Sequence, residues 1–188
     1  MSSLYQGLIN VIERKITPLA GAVGQQRHVI AIRDGFVAAL PFMIIGSFML
    51  VFIFPPFAAD SQWAFARGWL DFSLRHRDQL MLPYYLSMGV MTFFISTGIG
   101  ASLGRHYKLE PVMTGLLALM GFLLVAAPYH DGHIATDYFS GQGIFTAILT
   151  AIYTTEVYAL LKRKNITIRL PKEVPTGVAR SFEILIPV

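Results

Sequence analysis

Glu156 is the residue whose chemistry stands out first, because it lies inside the otherwise uncharged apolar stretch at 144–161. A carboxylate in such a stretch is costly if the stretch crosses a membrane, and residues kept at that cost are functional candidates. Lys162 follows six residues later. The alternative interpretation is therefore structural: Glu156 extends toward the membrane surface or pairs with a neighbouring basic residue. The sequence leaves both interpretations open.

Arg33 and Asp34 form an adjacent pair of opposite charges directly before a run without ionisable groups, 35–54. One interpretation makes Arg33 a basic anchor at the membrane surface and Asp34 a cap for the free N–H groups at a helix N-terminus. The other has the pair contact a cytoplasmic partner. Both place the pair at the start of the first apolar helix.

Few other residues have spacings typical of a site. His130 and His133 in "HDGH" have a spacing found in metal sites, but no third ligand is evident and a surface loop is expected. Gly100 and Gly104 form a GxxxG pair, which allows two membrane helices to approach closely. The chain has no cysteine, which excludes disulfides and thiolate chemistry. No phosphate loop, nucleophile–base pair or paired carboxylate is recognisable, so we expect no catalytic, cofactor-binding or metal-binding residues.

The elements that position these residues are four long apolar segments. The first holds 20 residues, and at about 1.5 Å per residue a helix of this length spans the roughly 30 Å hydrocarbon core of a bilayer. Charged residues make up 14% of the chain, against about 25% in soluble domains. The composition thus predicts an all-α, polytopic membrane protein with four transmembrane helices and no break that suggests a re-entrant hairpin. The predicted spans are 35–54, 83–103, 112–127 and 144–161, the third being short.

The distribution of basic residues predicts the orientation. Of the 15 lysine and arginine residues, twelve fall in the two terminal segments and the central loop, and three fall in the other two loops. The positive-inside rule then places both termini in the cytoplasm of a bacterial cell with the spans in its inner membrane. The net charge of +4 follows this asymmetry, so nucleic acid is not an expected partner.

Three regions are expected along the chain. Residues 1–27 form a cytoplasmic segment with an amphipathic helix that ends near Pro18 and lies on the lipid bilayer or against a neighbouring subunit. Residues 28–161 form the four-helix scaffold. Residues 162–188 form a basic cytoplasmic linker.

Two long motifs resemble a known family. "ITPLAGAVGQQRHVIAIRDGFVAALPFMIIGSF" (16–48) and "TTEVYALLKRKNITIRLPKEVPTGVARSFEILIP" (154–187) are similar to segments of the membrane subunit, IIC, of the lactose/cellobiose/chitobiose branch of the bacterial phosphotransferase system. The departures are Val23 near a usual lysine, Arg169 for lysine, Leu170 for methionine and Thr176 for a second proline.

The resemblance implies an N-terminal portion of a longer permease. In that family the N-terminal helices form the scaffold and the homodimer contact, while the C-terminal helices bind the sugar. The complete subunit would move a β-linked disaccharide inward while a cytosolic IIB subunit phosphorylates it, and its sugar-binding residues would lie after Val188, beyond a fifth helix. The alternative is a truncated membrane protein with a structural or regulatory role. Whether the chain takes part in an enzymatic reaction stays open, since phosphoryl transfer would belong to IIB.

Overall fold

The computed structural model describes Ile9, residues 17–58 and residues 60–166, and this part is almost entirely helical. Two two-residue strands add an antiparallel hairpin, so the all-α prediction misses this small element. Within the described part the elements are, in order, α1 (Thr17–Gly24), α2 (Arg27–Ile53), α3 (Ala64–Arg75), α4 (Arg77–Tyr85), a 3-10 turn (Met88–Val90), α5 (Met91–His106), α6 (Pro111–Ala126), β1 (Tyr129–His130), β2 (His133–Ile134), a second 3-10 turn (Gly141–Gly143) and α7 (Ile144–Arg163).

Helix α5 is the centre of the bundle. It packs against α2, α6 and α7, and α6 also packs against α7. The side chains of Ile95, Ile99 and Leu103 recur every four residues along α5 and are completely buried. This spacing keeps them on one side of the helix, where they form the hydrophobic core with small residues of the neighbouring helices.

Helix α2 shows why the bundle belongs in lipid. Large apolar side chains along most of its length remain exposed, among them Val37 at 55%, Ile44 at 52% and Phe48 at 61%. An exposed apolar surface of this extent is not compatible with water unless something covers it. The hydrocarbon core of a bilayer would cover these exposed apolar side chains along the whole helix.

The described residues contain three helical stretches that are long and apolar enough to cross a membrane: Arg27–Ile53, Arg77–His106 and Gly141–Arg163. Helix α6 is apolar but has only 16 residues. A fourth crossing at α6 therefore stays a prediction, as do the cytoplasmic positions of both termini.

The second stretch is interrupted, although its uniformly apolar sequence at 83–103 predicts a single helix. Helix α4 ends at Tyr85 and the 3-10 turn Met88–Val90 leads into α5. At the interruption the Ser87 hydroxyl donates to the carbonyl of Pro83 at 2.6 Å, so it satisfies a carbonyl that the broken helix leaves free. The expectation of an unbroken span is wrong here, because Ser87 and the turn replace part of the helical hydrogen bonding.

The N-terminal prediction concerns mostly residues outside the described part, since only Ile9 and residues from 17 onward are described. The predicted helix was expected to stop near Pro18. Pro18 itself lies in the first turn of α1 (Thr17–Gly24), where a proline leaves no helical hydrogen bond unmade, and the residues of the predicted helix just before Thr17 lie outside the described part. The basic linker lies outside the described residues after residue 166.

Helix α3 and the connection that precedes it carry an aromatic cluster. The rings of Phe57, Trp63, Phe65 and Trp69 contact one another with centroids 5.3–6.4 Å apart. The Trp69 indole donates to the carbonyl of Phe52 at 3.1 Å. Amphipathic aromatic rings collect at membrane–water interfaces, which fits a helix at the membrane surface.

Candidate functional site

Glu156 is hydrogen-bonded to two groups from distant parts of the chain. Its Oε1 atom lies 2.7 Å from Nε2 of His28, in the first turn of α2. The hydroxyl of Tyr107, the residue that follows α5, donates to the same oxygen. Of the two structural interpretations of Glu156, extension into water and pairing, the geometry shows pairing, and the partners are His28 and Tyr107.

The pairing connects three helix ends. Helices α2 and α7 both pack on α5, and the bond between His28 and Glu156 links them to each other as well. The exposed fraction of the side chain is 26% for His28 and 37% for Glu156. Both groups are therefore half shielded from solvent, where a hydrogen-bonded charge contributes more than it does at a fully exposed site.

Tyr107 is held protonated in this arrangement. Burial, together with the hydrogen bond to the Glu156 carboxylate, raises the pKa of Tyr107 to about 12. The phenol is thus a hydrogen-bond donor at every physiological pH. The guanidinium of Arg27 lies over the Tyr107 ring, 5.1 Å from its centroid, and adds a cation–π contact to the cluster.

Arg33 and Asp34 are close to this cluster in sequence but make a separate contact. Arg33 donates to Oδ1 of Asp34 at 2.9 and 3.2 Å. The hydroxyl of Ser102 on α5 donates to Oδ2 at 2.6 Å. The capping interpretation of Asp34 is wrong, because α2 begins at Arg27 and Asp34 lies well inside the helix, where no N–H group is free. The pair instead joins α2 to α5.

Gly100 and Gly104 lie where α5 meets α6. A Cβ atom on Gly100 would lie 2.5 Å from Cβ of Ala118 and 2.7 Å from the backbone oxygen of Thr114. A Cβ atom on Gly104 would lie 2.7–3.0 Å from the Thr114 side chain. The two backbones come this close only because glycine has no side chain, which is the role expected of a GxxxG pair.

A similar close approach occurs between α2 and α5, at Gly35 and Gly98. A Cβ atom on Gly98 would lie 2.8 Å from Cα of Gly35. A Cβ atom on Gly35 would lie 2.8 Å from the carbonyl oxygen of Ile95. Glycines therefore set the distance between α5 and two of its neighbours.

The sequence did not identify His28, Tyr107 or Ser102. Glu156 is 128 residues from His28 and 49 from Tyr107, and such separations leave no periodic signal in a single sequence. A residue-level clue did exist: His28 and Tyr107 are polar groups flanking the ends of apolar segments, as Glu156 is. The arrangement joins the ends of α2, α5 and α7 through one carboxylate that accepts hydrogen bonds from both partners.

Comparison with known proteins identifies the family. Residues 33–188 match the model of the phosphotransferase system EIIC family. The chain is 35% identical over 196 residues to the cellobiose-specific EIIC component of Geobacillus stearothermophilus, an alignment that covers 95% of this chain and 42% of that protein. It is 31% identical over 189 residues to the lactose-specific EIICB component of Lactococcus lactis subsp. lactis, covering 96% of this chain and 32% of that protein.

A solved structure agrees. The crystal structure of the transporter ChbC, the IIC component of the N,N'-diacetylchitobiose-specific phosphotransferase system, superposes with a TM-score of 0.80 and 34% sequence identity. The match covers 94% of this chain and 43% of ChbC. The chain therefore spans about two fifths of the length of the cellobiose and chitobiose relatives. This multi-pass membrane protein belongs to the EIIC family of the phosphotransferase system.

Proposed function

We propose that this chain forms the N-terminal scaffold and dimer-contact portion of a permease that moves a β-linked disaccharide, such as cellobiose or chitobiose, across the inner membrane. A cytosolic IIB subunit phosphorylates the sugar in the complete system. The main support for this proposal is the structural similarity to ChbC, which extends over 94% of this chain at a TM-score of 0.80.

The arrangement of the described helices supports a scaffold role. Helix α5 is fixed against three neighbours by buried aliphatic side chains and by glycines whose contacts leave no room for a Cβ atom. The polar contacts of Asp34 and Glu156 also join helices to one another. These buried side chains, glycines and polar contacts fix the helices relative to one another. In an alternating-access transporter, one rigid bundle stays in place while the other moves relative to it.

The polar groups within the helices are poor candidates for a sugar site. A disaccharide is polar on all sides and needs many hydrogen-bonding groups away from lipid. The hydroxyls of Ser47 and Thr150, for example, donate to carbonyls of their own helices at 2.8 and 2.7 Å. We therefore propose that the sugar-binding residues belong to the part of the permease that relatives have and this sequence does not include.

Calorimetry with purified protein tests this proposal. The 188-residue chain should insert into the inner membrane, and its scaffold helices should support self-association. It should show no saturable binding of cellobiose, N,N'-diacetylchitobiose or lactose. The complete ChbC transporter, measured in the same detergent with its own sugar, serves as the positive control. Saturable binding of any of these disaccharides by the 188-residue chain would contradict the proposal and place a sugar site in the scaffold.

A further inference from the structure

The ends of α5 and α7 enclose a small basic cleft of about 190 Å³. Its walls are the ring of Tyr107, the apolar residues Leu109 and Ala159, and three cationic side chains, Lys108, Lys162 and Arg163. We propose that this cleft binds the phosphate headgroup of an anionic lipid, with phosphatidylglycerol as the class of ligand. The inference does not depend on the sugar or on the proposed transport function.

Two of the three cations in the cleft, Lys108 and Arg163, are available to a ligand. Lys108 and Arg163 are exposed, and no carboxylate in the described part of the chain forms an ion pair with either. The carboxylates nearest to these two cations in the sequence, Glu110 and Glu156, already accept hydrogen bonds from other groups. Glu110 accepts the backbone N–H of Met113 at 2.6 Å, and Glu156 accepts from His28 and Tyr107.

The backbone at Lys108 supports a role for this side chain. Helix α5 ends in a turn in which the N–H of Leu109 donates to the carbonyl of Gly104 at 2.9 Å, and Lys108 has a positive φ of 57°. Glycine is the favoured residue at this position, because a side chain is strained in the left-handed region. Helix α7 ends in the same way with Asn165 at φ 55°, and asparagine tolerates this conformation better than lysine. A lysine in the α5 turn therefore places a cation where the backbone alone would favour glycine.

The position of the cleft matches the depth of a lipid phosphate. The cleft lies at the C-terminal ends of Arg77–His106 and Gly141–Arg163, two stretches long and apolar enough to cross a bilayer, so these ends reach the headgroup layer. The buried residues Leu109 and Ala159 add an apolar lining to the cleft beside the cations. Basic pockets between transmembrane helices at the cytoplasmic surface bind anionic headgroups, and each nearby lysine or arginine strengthens the attraction. If both termini are cytoplasmic, the lipid belongs to the inner leaflet.

Native mass spectrometry of the detergent-purified chain with added lipid tests the proposal. Wild-type protein should bind dioleoyl phosphatidylglycerol more tightly than dioleoyl phosphatidylcholine. The variants Lys108→Gly and Arg163→Gln should each weaken phosphatidylglycerol binding about fivefold. Arg67→Gln, which removes an exposed charge from α3, is the matched control and should bind like wild type.

Lys108→Gly separates binding from folding. Glycine relieves the positive φ, so the Tm of this variant without lipid should equal or exceed that of wild type while its lipid affinity falls. Equal affinities for the two lipids, or wild-type phosphatidylglycerol binding by both cleft variants, would overturn the proposal. Inorganic phosphate is the last arm: if it binds the cleft as tightly as the lipid does, the site is one for free anions and the lipid assignment is wrong.

Discussion

Gly100→Val is expected to destabilise the bundle by about 3 kcal/mol, at the upper end of the range for overpacked cores. Even the first carbon of the new side chain would lie 2.7 Å from the backbone oxygen of Thr114 on α6. Backbone cannot rotate away as a flexible side chain can, so α5 and α6 must separate. Separation opens the contact that holds the centre of the fold, and we expect most of the folded yield to be lost.

Gly68→Val is the matched control for this experiment. Gly68 lies in helix α3, and no atom lies within 4 Å of the Cβ that a side chain would add. The two variants make the same chemical change within a helix and differ in what the side chain meets. Thermal unfolding in detergent should show a large loss of Tm for Gly100→Val and little change for Gly68→Val. Equal Tm values for the two variants would show that α5 and α6 do not approach as closely as described.

Glu156→Leu is the second substitution with a large expected effect, about 1–3 kcal/mol. Leucine removes the acceptor of both Tyr107 and His28 and leaves two half-buried donors without a partner. Glu156→Gln should cost less, because the amide oxygen can still accept from both groups even though the charge is gone. The free energy of unfolding of each variant, measured in the same detergent, gives the comparison.

A double-mutant cycle assigns this cost to specific partners. Tyr107→Phe removes one donor to Glu156 and keeps the ring that packs against Arg27. If the hydrogen bond is formed, Tyr107→Phe should cost less in the Glu156→Leu background than in wild type, because the acceptor is already absent. Additive effects of the two substitutions would mean that the groups do not interact. A Glu156→Leu variant as stable as wild type would support the interpretation of Glu156 as a carboxylate extended into solvent.

The sequence predicted the elements of this fold better than the contacts between them. Apolar segment length alone located α2, α6 and α7, because the thickness of a bilayer sets the length of a spanning helix. The GxxxG spacing of Gly100 and Gly104 predicted a helix contact, because two small residues four positions apart lie on one face and let another helix approach closely. Which helix they meet follows from how the helices pack together, and a single sequence does not contain that information.

Two errors have a common physical origin. Asp34 was interpreted as a cap because the apolar run begins at residue 35, but the helix itself begins at Arg27. The 83–103 segment was expected to be one helix because it is uniformly apolar, yet Ser87 forms hydrogen bonds that end α4. Hydrophobicity reports where lipid can surround the chain. Backbone hydrogen bonding decides where each helix begins and ends.

Cysteine labelling tests the central claim, a four-span scaffold with both ends in the cytoplasm. The chain has no cysteine, so single substitutions can be labelled without background. Positions Gln62, His106, Thr136 and Lys164 are exposed: His106 is the last residue of α5, and the other three lie in the connections that follow α2, β2 and α7. In intact cells, an impermeant thiol reagent should label Gln62→Cys and Thr136→Cys, whereas His106→Cys and Lys164→Cys should react only after lysis. Labelling of Lys164→Cys from outside would contradict the account, because α6 would then not cross the membrane or the whole bundle would have the opposite orientation.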